Sequence, residues 1–161
     1  MNHKEAYEEQ QILMWIEQLE SRDRAQATKA IRALSAIGTP AIPFLIQALH
    51  DIDRWHNAVQ TLITIGAPAV DPLIACLSVP VIDNFAFEAL TRIGESAVLP
   101  LIQVLQSSHK AAQAWAALAL GFIGDIRAIE ALINALQDDN AAVRKEAKKA
   151  LVRIKTNIHK S

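Results

Sequence analysis

The dipeptide Ile-Gly recurs at Ile37-Gly38, Ile65-Gly66, Ile93-Gly94 and Ile123-Gly124, and aligning the chain on it brings whole columns into register. The glycines lie 28, 28 and 30 residues apart. Upstream of them, Ala30, Ala58, Ala86, Ala116 and Ala147 share one column, and Leu34, Leu62, Leu90, Leu120 and Leu151 another. Ile37, Ile65, Ile93, Ile123 and Ile154 share a third. Downstream run Ala41, Ala69, Ala97 and Ala128, then Leu45, Leu73, Leu101 and Leu132. Ile46, Ile74, Ile102 and Ile133 follow, and then Leu49, Leu77, Leu105 and Leu136. Leu and Ala are common residues, but chance does not fill seven columns together.

The upstream Ala, Leu and Ile stand four and three residues apart, one face of a helix, designated A. The glycine predicts a left-handed C-terminal stop. The downstream stripe predicts a second helix, B. Pro40 and Pro68 fall at its start, where a missing N–H costs nothing, and Pro72 lies deep enough to bend its helix. The alanine column predicts close approach of helix A to a neighbour. One such pair cannot bury both stripes, so neighbouring pairs must stack.

The pairs read as 22–50, 53–78, 81–107 and 109–138, with residues 140–156 adding a further helix A. Lys155 stands where a glycine would be, so the repeat stops there. Residues 4–20 form an extra helix with Ile12, Trp15, Ile16 and Leu19 on its core side. The expected organisation is a single repeat domain over 1–161. It has an N-terminal cap helix (1–20), four helix pairs (21–138), and a C-terminal cap helix and tail (139–161).

Composition agrees with a packed helical chain: 161 residues, 52% apolar and only five glycines. The net charge of −1 lacks the positive excess of a nucleic-acid-binding domain. One cysteine, Cys76, forms no internal disulfide, and residues 1–10 lack the apolar stretch of a signal peptide. The longest apolar run, 111–123, is too short to span a bilayer. A cytoplasmic protein with no membrane contact is expected.

The columns Ala-x-x-x-Leu-x-x-Ile-Gly, followed by Ala-Ile/Val-x-x-Leu-Ile-x-x-Leu, resemble HEAT-like repeats of the short bacterial kind. That subtype is named after phycobilisome lyases, which attach or detach bilin pigments. The resemblance covers about residues 21–155 and implies an all-α, right-handed α-solenoid of about five stacked hairpins with capping end helices. Its fullest match is Asp139, Val143, Arg144, Ala147, Ala150, Leu151 and Ile154. The family often carries this Asp and Arg as a ladder. Here the arginine column holds Ala27, Trp55, Asp83 and Gln113 instead, so the ladder is broken and the replacements become candidates for function.

In such a stack the B helices line a concave face. The row facing a partner would be Pro43, Gln47 and His50, then Asp71, Ala75 and Ser78. Leu99, Gln103 and Gln106 continue it, then Glu130, Asn134 and Gln137. The row is polar and mostly uncharged, an adaptable hydrogen-bonding surface or an ordinary solvated one. Trp55 and His56 open the second helix A outside the apolar columns; exposed Trp is enriched among binding hot spots, and filling a seam between repeats is the alternative. Trp115 has the same alternatives, while Trp15 reads as core. Gly121, inside a helix, reads as close helix packing.

No His-x-x-x-His pair, Gly-rich phosphate loop or nucleophile–base pattern occurs, so no metal, cofactor or catalytic residue is expected. Capping explains the Asp138, Asp139 and Asn140 cluster, and Ser107 with Ser108. Residues 1–20 hold five Glu, whereas 144–160 hold seven Lys and Arg. Solvated caps explain this asymmetry; head-to-tail self-association or docking of an acidic partner on the basic end are the functional alternatives.

The function these features favour is a non-enzymatic module or scaffold binding another protein. A phycobilin lyase-like factor, or a subunit of one, is the alternative. Nucleic-acid binding is disfavoured by the charge.

Overall fold

The structure is a computed structural model that describes residues 3–158, with side chains over residues 6–157. The readings on His3, Glu5, His159 and Lys160 concern side chains outside these bounds. Among the described residues all regular structure is helical: the fold is all-α, of the solenoid type. The chain divides into two compact units, residues 1–72 and 73–161.

The first unit opens with α1 (His3–Glu17), continued by a 3₁₀ turn at Gln18–Glu20. Ile12, Ile16 and Leu19 are buried, whereas Trp15 is only half-buried and meets the Lys29 ammonium 5.7 Å from its ring centre. That partly wet ring corrects the core reading of Trp15. α2 (Arg24–Ile37) starts on Asp23, whose carboxylate accepts the Ala25 N–H at 2.9 Å. The chain then bends by 116° into a 3₁₀ turn and α3 (Ile42–Ala48). α4 (Trp55–Ile65) packs on α2 and α3, while α1 packs on the same two helices from another side. Asn57 of α4 reaches back to donate to the Leu19 carbonyl at 2.7 Å. α5 (Val70–Cys76) carries the boundary between the units. Pro72 is its third residue, inside the first turn, where no intrahelical N–H bond is lost, so the expected bend has no cause there.

In the second unit α6 (Asp83–Ile93) runs through Gly94 directly into α7 (Glu95–Leu105). Pro100 sits inside α7 and does remove a ladder bond. α8 (Lys110–Ile123), α9 (Ile129–Ala135) and α10 (Ala141–Ile158) complete the chain. α8 packs against α6, α7 and α10, and α9 packs against α7 and α10.

The buried columns are those read from the sequence. Leu45, Leu73, Leu101 and Leu132 are each 0% exposed, as are Ala30, Ala58, Ala86, Ala116 and Ala147. Each buried leucine contributes about 1.5–3 kcal/mol. α3, α5 and α9 have seven residues each, far below the roughly 12–15 that an isolated helix needs; burial of the leucine column holds them helical. The Ile37, Ile65, Ile93 and Ile123 column is half-buried, and in α10 Ala150 and Ile154 are buried while Leu151 is half-buried.

The glycine stops differ from the expected left-handed cap. Gly38, Gly66 and Gly94 adopt φ of 72, 75 and 73° with ψ of −129, −130 and −121°, a region almost closed to side chains. Only Gly124, at φ 78° and ψ 12°, is left-handed helical. Gly121 marks a close approach of α8 to α10: a Cβ there would lie 2.6 Å from Ala150 Cα.

Candidate interaction surfaces

In the first unit the chain turns from α3 into α4 through residues 49–54, and this turn closes one end of a cavity of about 400 Å³. Leu13 and Ile16 of α1 and Phe44 and Ala48 of α3 form its apolar wall; Gln47, His50, Asp51 and Arg54 form its polar rim. The rim is held in place. Asp51 accepts the Asp53 N–H at 2.9 Å, and the Arg54 guanidinium grips the Glu20 carboxylate at 2.8 Å. Glu20 keeps the guanidinium pKa above its ordinary value. Leu13 is 44% exposed, so the wall is open to a ligand side chain.

The structure thus brings Gln47 and His50 together and surrounds them with apolar groups absent from the sequence-derived row. Trp55 and His56 do not line this cavity. The Trp55 ring is half-buried and meets the His56 imidazole edge-on at 5.4 Å, with His56 exposed. Asp71 is exposed in the first turn of α5, apart from the others.

In the second unit α7 and α9 lie side by side. α7 exposes Leu99 and Gln103, with Gln106 just past its end, and α9 exposes Glu130, Ile133 and Asn134, with Gln137 two residues past its end. Glu130 is the one formal charge in this set. Leu99 and Ile133 are 57% and 51% exposed, two apolar anchors in a field of amides. Ile133 was expected in the core. Its column lies one residue, about 100°, round the helix from the buried leucines, and on α9 that rotation carries it into solvent.

Ser78 is exposed and Asp83 half-buried, at the two ends of a loop whose Val79 and Val81 are also exposed. The Asp83 carboxylate is used locally, accepting the Asn84 N–H at 2.9 Å.

Gln113 is a correction. It is 2% exposed, and its amide donates at 2.8 Å to the carbonyls of both Leu105 and Ser107. Its column-mate Arg144 does the same work one pair later, donating from Nη1 to the Asp138 and Asp139 carbonyls at 2.6 and 2.8 Å. Both residues tie the exit of a B helix to the next A helix. Gln113 replaces an arginine as a structural clamp and offers nothing to a partner.

A second aromatic feature escaped the sequence reading. Phe87 of α6 meets Trp115 and Phe122 of α8, each at 5.5 Å between ring centres, and the Arg153 guanidinium of α10 lies 4.1 Å over Phe122. These residues stand beside the apolar columns, not in them, so periodicity carries no signal for them.

Among the described residues no group of three or more His, Cys, Asp or Glu side chains is placed to hold a metal ion. Among the same residues no single helix is long and apolar enough to cross a membrane.

The family described as HEAT repeats matches residues 98–159, and that described as PBS lyase HEAT-like repeat matches residues 26–51. No curated protein matches the chain. Among solved structures, three crystal structures titled only as engineered proteins are similar. One is 22% identical with a TM-score of 0.41, over 90% of this chain and 79% of that one. A second is 24% identical with a TM-score of 0.40, over 89% of this chain and 47% of that one. The third is 23% identical with a TM-score of 0.41, over 88% and 80%.

Proposed function

Given that this chain is a HEAT-like repeat protein, we propose that it is a non-enzymatic module that binds another protein through the exposed faces of its B helices. HEAT repeats commonly mediate protein–protein interaction. The observation that carries the reading is the α7–α9 face of the second unit. There Leu99 and Ile133 are exposed apolar side chains on adjacent helices, and Gln103, Gln106, Asn134 and Gln137 are exposed on the same helices and at their ends. Interfaces put apolar side chains at the centre and adaptable polar groups at the rim. The α1–α3 cavity with Gln47 and His50 offers the first unit a comparable, smaller recess. Trp55 and His56 provide a further aromatic contact.

The test is capture from a lysate of the native source with the whole chain as bait, beside a Leu99→Asp/Ile133→Asp variant of equal thermal stability. A specific partner should be lost by the variant, with affinity reduced by at least about 30-fold, the scale of a hot spot near 2 kcal/mol. Retention of every captured protein by the variant would overturn the reading. A bilin titration that shifts the pigment spectrum in proportion to chain concentration would replace it with pigment handling.

A further inference from the structure

We infer that the face formed by α8 and α10 in the second unit is a docking site for an acidic peptide segment carrying an apolar side chain. It is separate from the α7–α9 face and stands whether or not that face binds a partner.

The charge is concentrated on one helix. α10 holds Arg144, Lys145, Lys148, Lys149, Arg153 and Lys155 against the single acid Glu146. Its core stripe is Val143, Ala147, Ala150 and Ile154, all 0% exposed. The opposite side therefore presents Lys145, Lys148, Lys149 and Val152 outward, and all four are exposed. Glu146 offsets one of these charges, pairing with Lys149 at 2.8 Å, and leaves the excess on Lys145, Lys148 and Arg153.

A groove of about 350 Å³ runs between Lys148, Lys149, Val152 and Arg153. Val152 is 59% exposed, and Phe122, under the Arg153 guanidinium, is 53% exposed. Arg153 Nη1 finds no hydrogen-bond acceptor. That nitrogen is buried against its neighbours, so the charge of the guanidinium acts on an incoming carboxylate together with Lys148 and Lys149 and not through a bond from Nη1. Cations thus flank two exposed apolar side chains at peptide scale.

Charge complementarity selects an anionic occupant, and the rings select between anions. Phosphates would also be drawn to these cations, but a single strand gains its further affinity from an open aromatic face on which to stack a base. Phe122 is covered by Arg153 at 4.1 Å and met by the Phe87 ring at 5.5 Å. What stays accessible suits an aliphatic side chain between carboxylates.

The experiment uses the full chain and fluorescence anisotropy with three labelled probes. One is a short Glu/Asp peptide with a central Leu, one the same peptide with Ser for Leu, and one a single-stranded oligonucleotide of equal charge. The Leu peptide should bind saturably, more tightly than the Ser peptide, and weaken as salt approaches about 0.15 M. Lys148→Glu/Lys149→Glu should weaken it by about tenfold or more. Phe122→Ala should weaken the Leu peptide several-fold and leave the Ser peptide unchanged, while Leu99→Asp should alter neither. The double charge variant changes exposed residues only, and its unfolding midpoint is measured alongside. No saturable binding, equal binding by the charge-reversed chain, or no preference for the Leu peptide over the Ser peptide each overturn the proposal. Tighter binding of the oligonucleotide than of the Leu peptide overturns it in favour of nucleic acid.

Discussion

Gly121→Ala should destabilise the protein, although helix propensity alone predicts the opposite. Gly121 is interior to α8, where alanine is worth about 0.5–1 kcal/mol more than glycine. Yet a Cβ at this position would lie 2.6 Å from Ala150 Cα and 2.7 Å from Ala150 Cβ. Carbon atoms pack comfortably at about 3.5–4.0 Å, so α8 and α10 would have to part by about 1 Å. The contact is with backbone, which cannot swing aside as a side-chain tip can. Overpacking of this kind costs about 1–3 kcal/mol, and the backbone partner places it in the upper part of that range. The net expectation is a loss of about 1–2 kcal/mol, or about 2–8 °C in Tm for a chain of 161 residues. Urea and thermal unfolding followed by circular dichroism measure it. Gly121→Ala/Ala150→Gly should recover only part of the loss, because Ala150 Cα stays in the way. A neutral or stabilising Gly121→Ala would refute the close-approach reasoning.

Gln113→Ala should cost about 1–3 kcal/mol in denaturant unfolding, because it leaves the Leu105 and Ser107 carbonyls without their donor; an unchanged midpoint would show that water replaces it freely. Gly66→Asn should destabilise more than Gly124→Asn, since asparagine tolerates the left-handed geometry of Gly124 but not ψ of −130° at Gly66; equal losses would argue against that distinction. Asp125 is held below the ordinary carboxylate range by the Arg127 side chain, and Asp138 by the Asn140 N–H and then Lys110. Depressed folded-state values contribute stability above the unfolded pKa of about 3.9 that is lost as pH falls through the folded values. The gap in stability between wild type and Asp125→Asn should therefore close on acidification below about pH 4, and a gap independent of pH would contradict the pairing. Burial pushes the Cys76 thiol above its ordinary pKa, so a thiol reagent near neutral pH should label it on the timescale of opening and not at the rate of a free thiol.

The interior was legible because burial imposes a period. Leu45, Leu73, Leu101 and Leu132 occupy equivalent environments at 0% exposure, as their alignment implied. Where the column was filled by a residue off the centre of the stripe, as at Ile133, the period could not say which side of the water boundary it would take. The glycine column gave the position of each stop but not its ψ; the signal for the exception was spacing, since Gly124 stands four residues before Ala128 where Gly38 stands three before Ala41, and Asp125 takes over as the cap of the next turn. Gln113 was misjudged because a broken arginine pattern reads as a lost interaction. The bond it makes is to backbone carbonyls, which any suitably long donor can satisfy. Of the Phe87, Trp115, Phe122 and Arg153 cluster, Trp115 alone stood out in the sequence; its partners did not, because the members come from three helices with no shared spacing.

The equivalence of Gln113 and Arg144 has a consequence for how such chains diversify. A position that clamps carbonyls needs reach and an N–H, and formal charge is optional. Each repeat can then gain or shed a positive charge while its hairpin stays anchored. Two proteins of this build could drift to opposite surface potentials, and so to different company, without disturbing a single leucine.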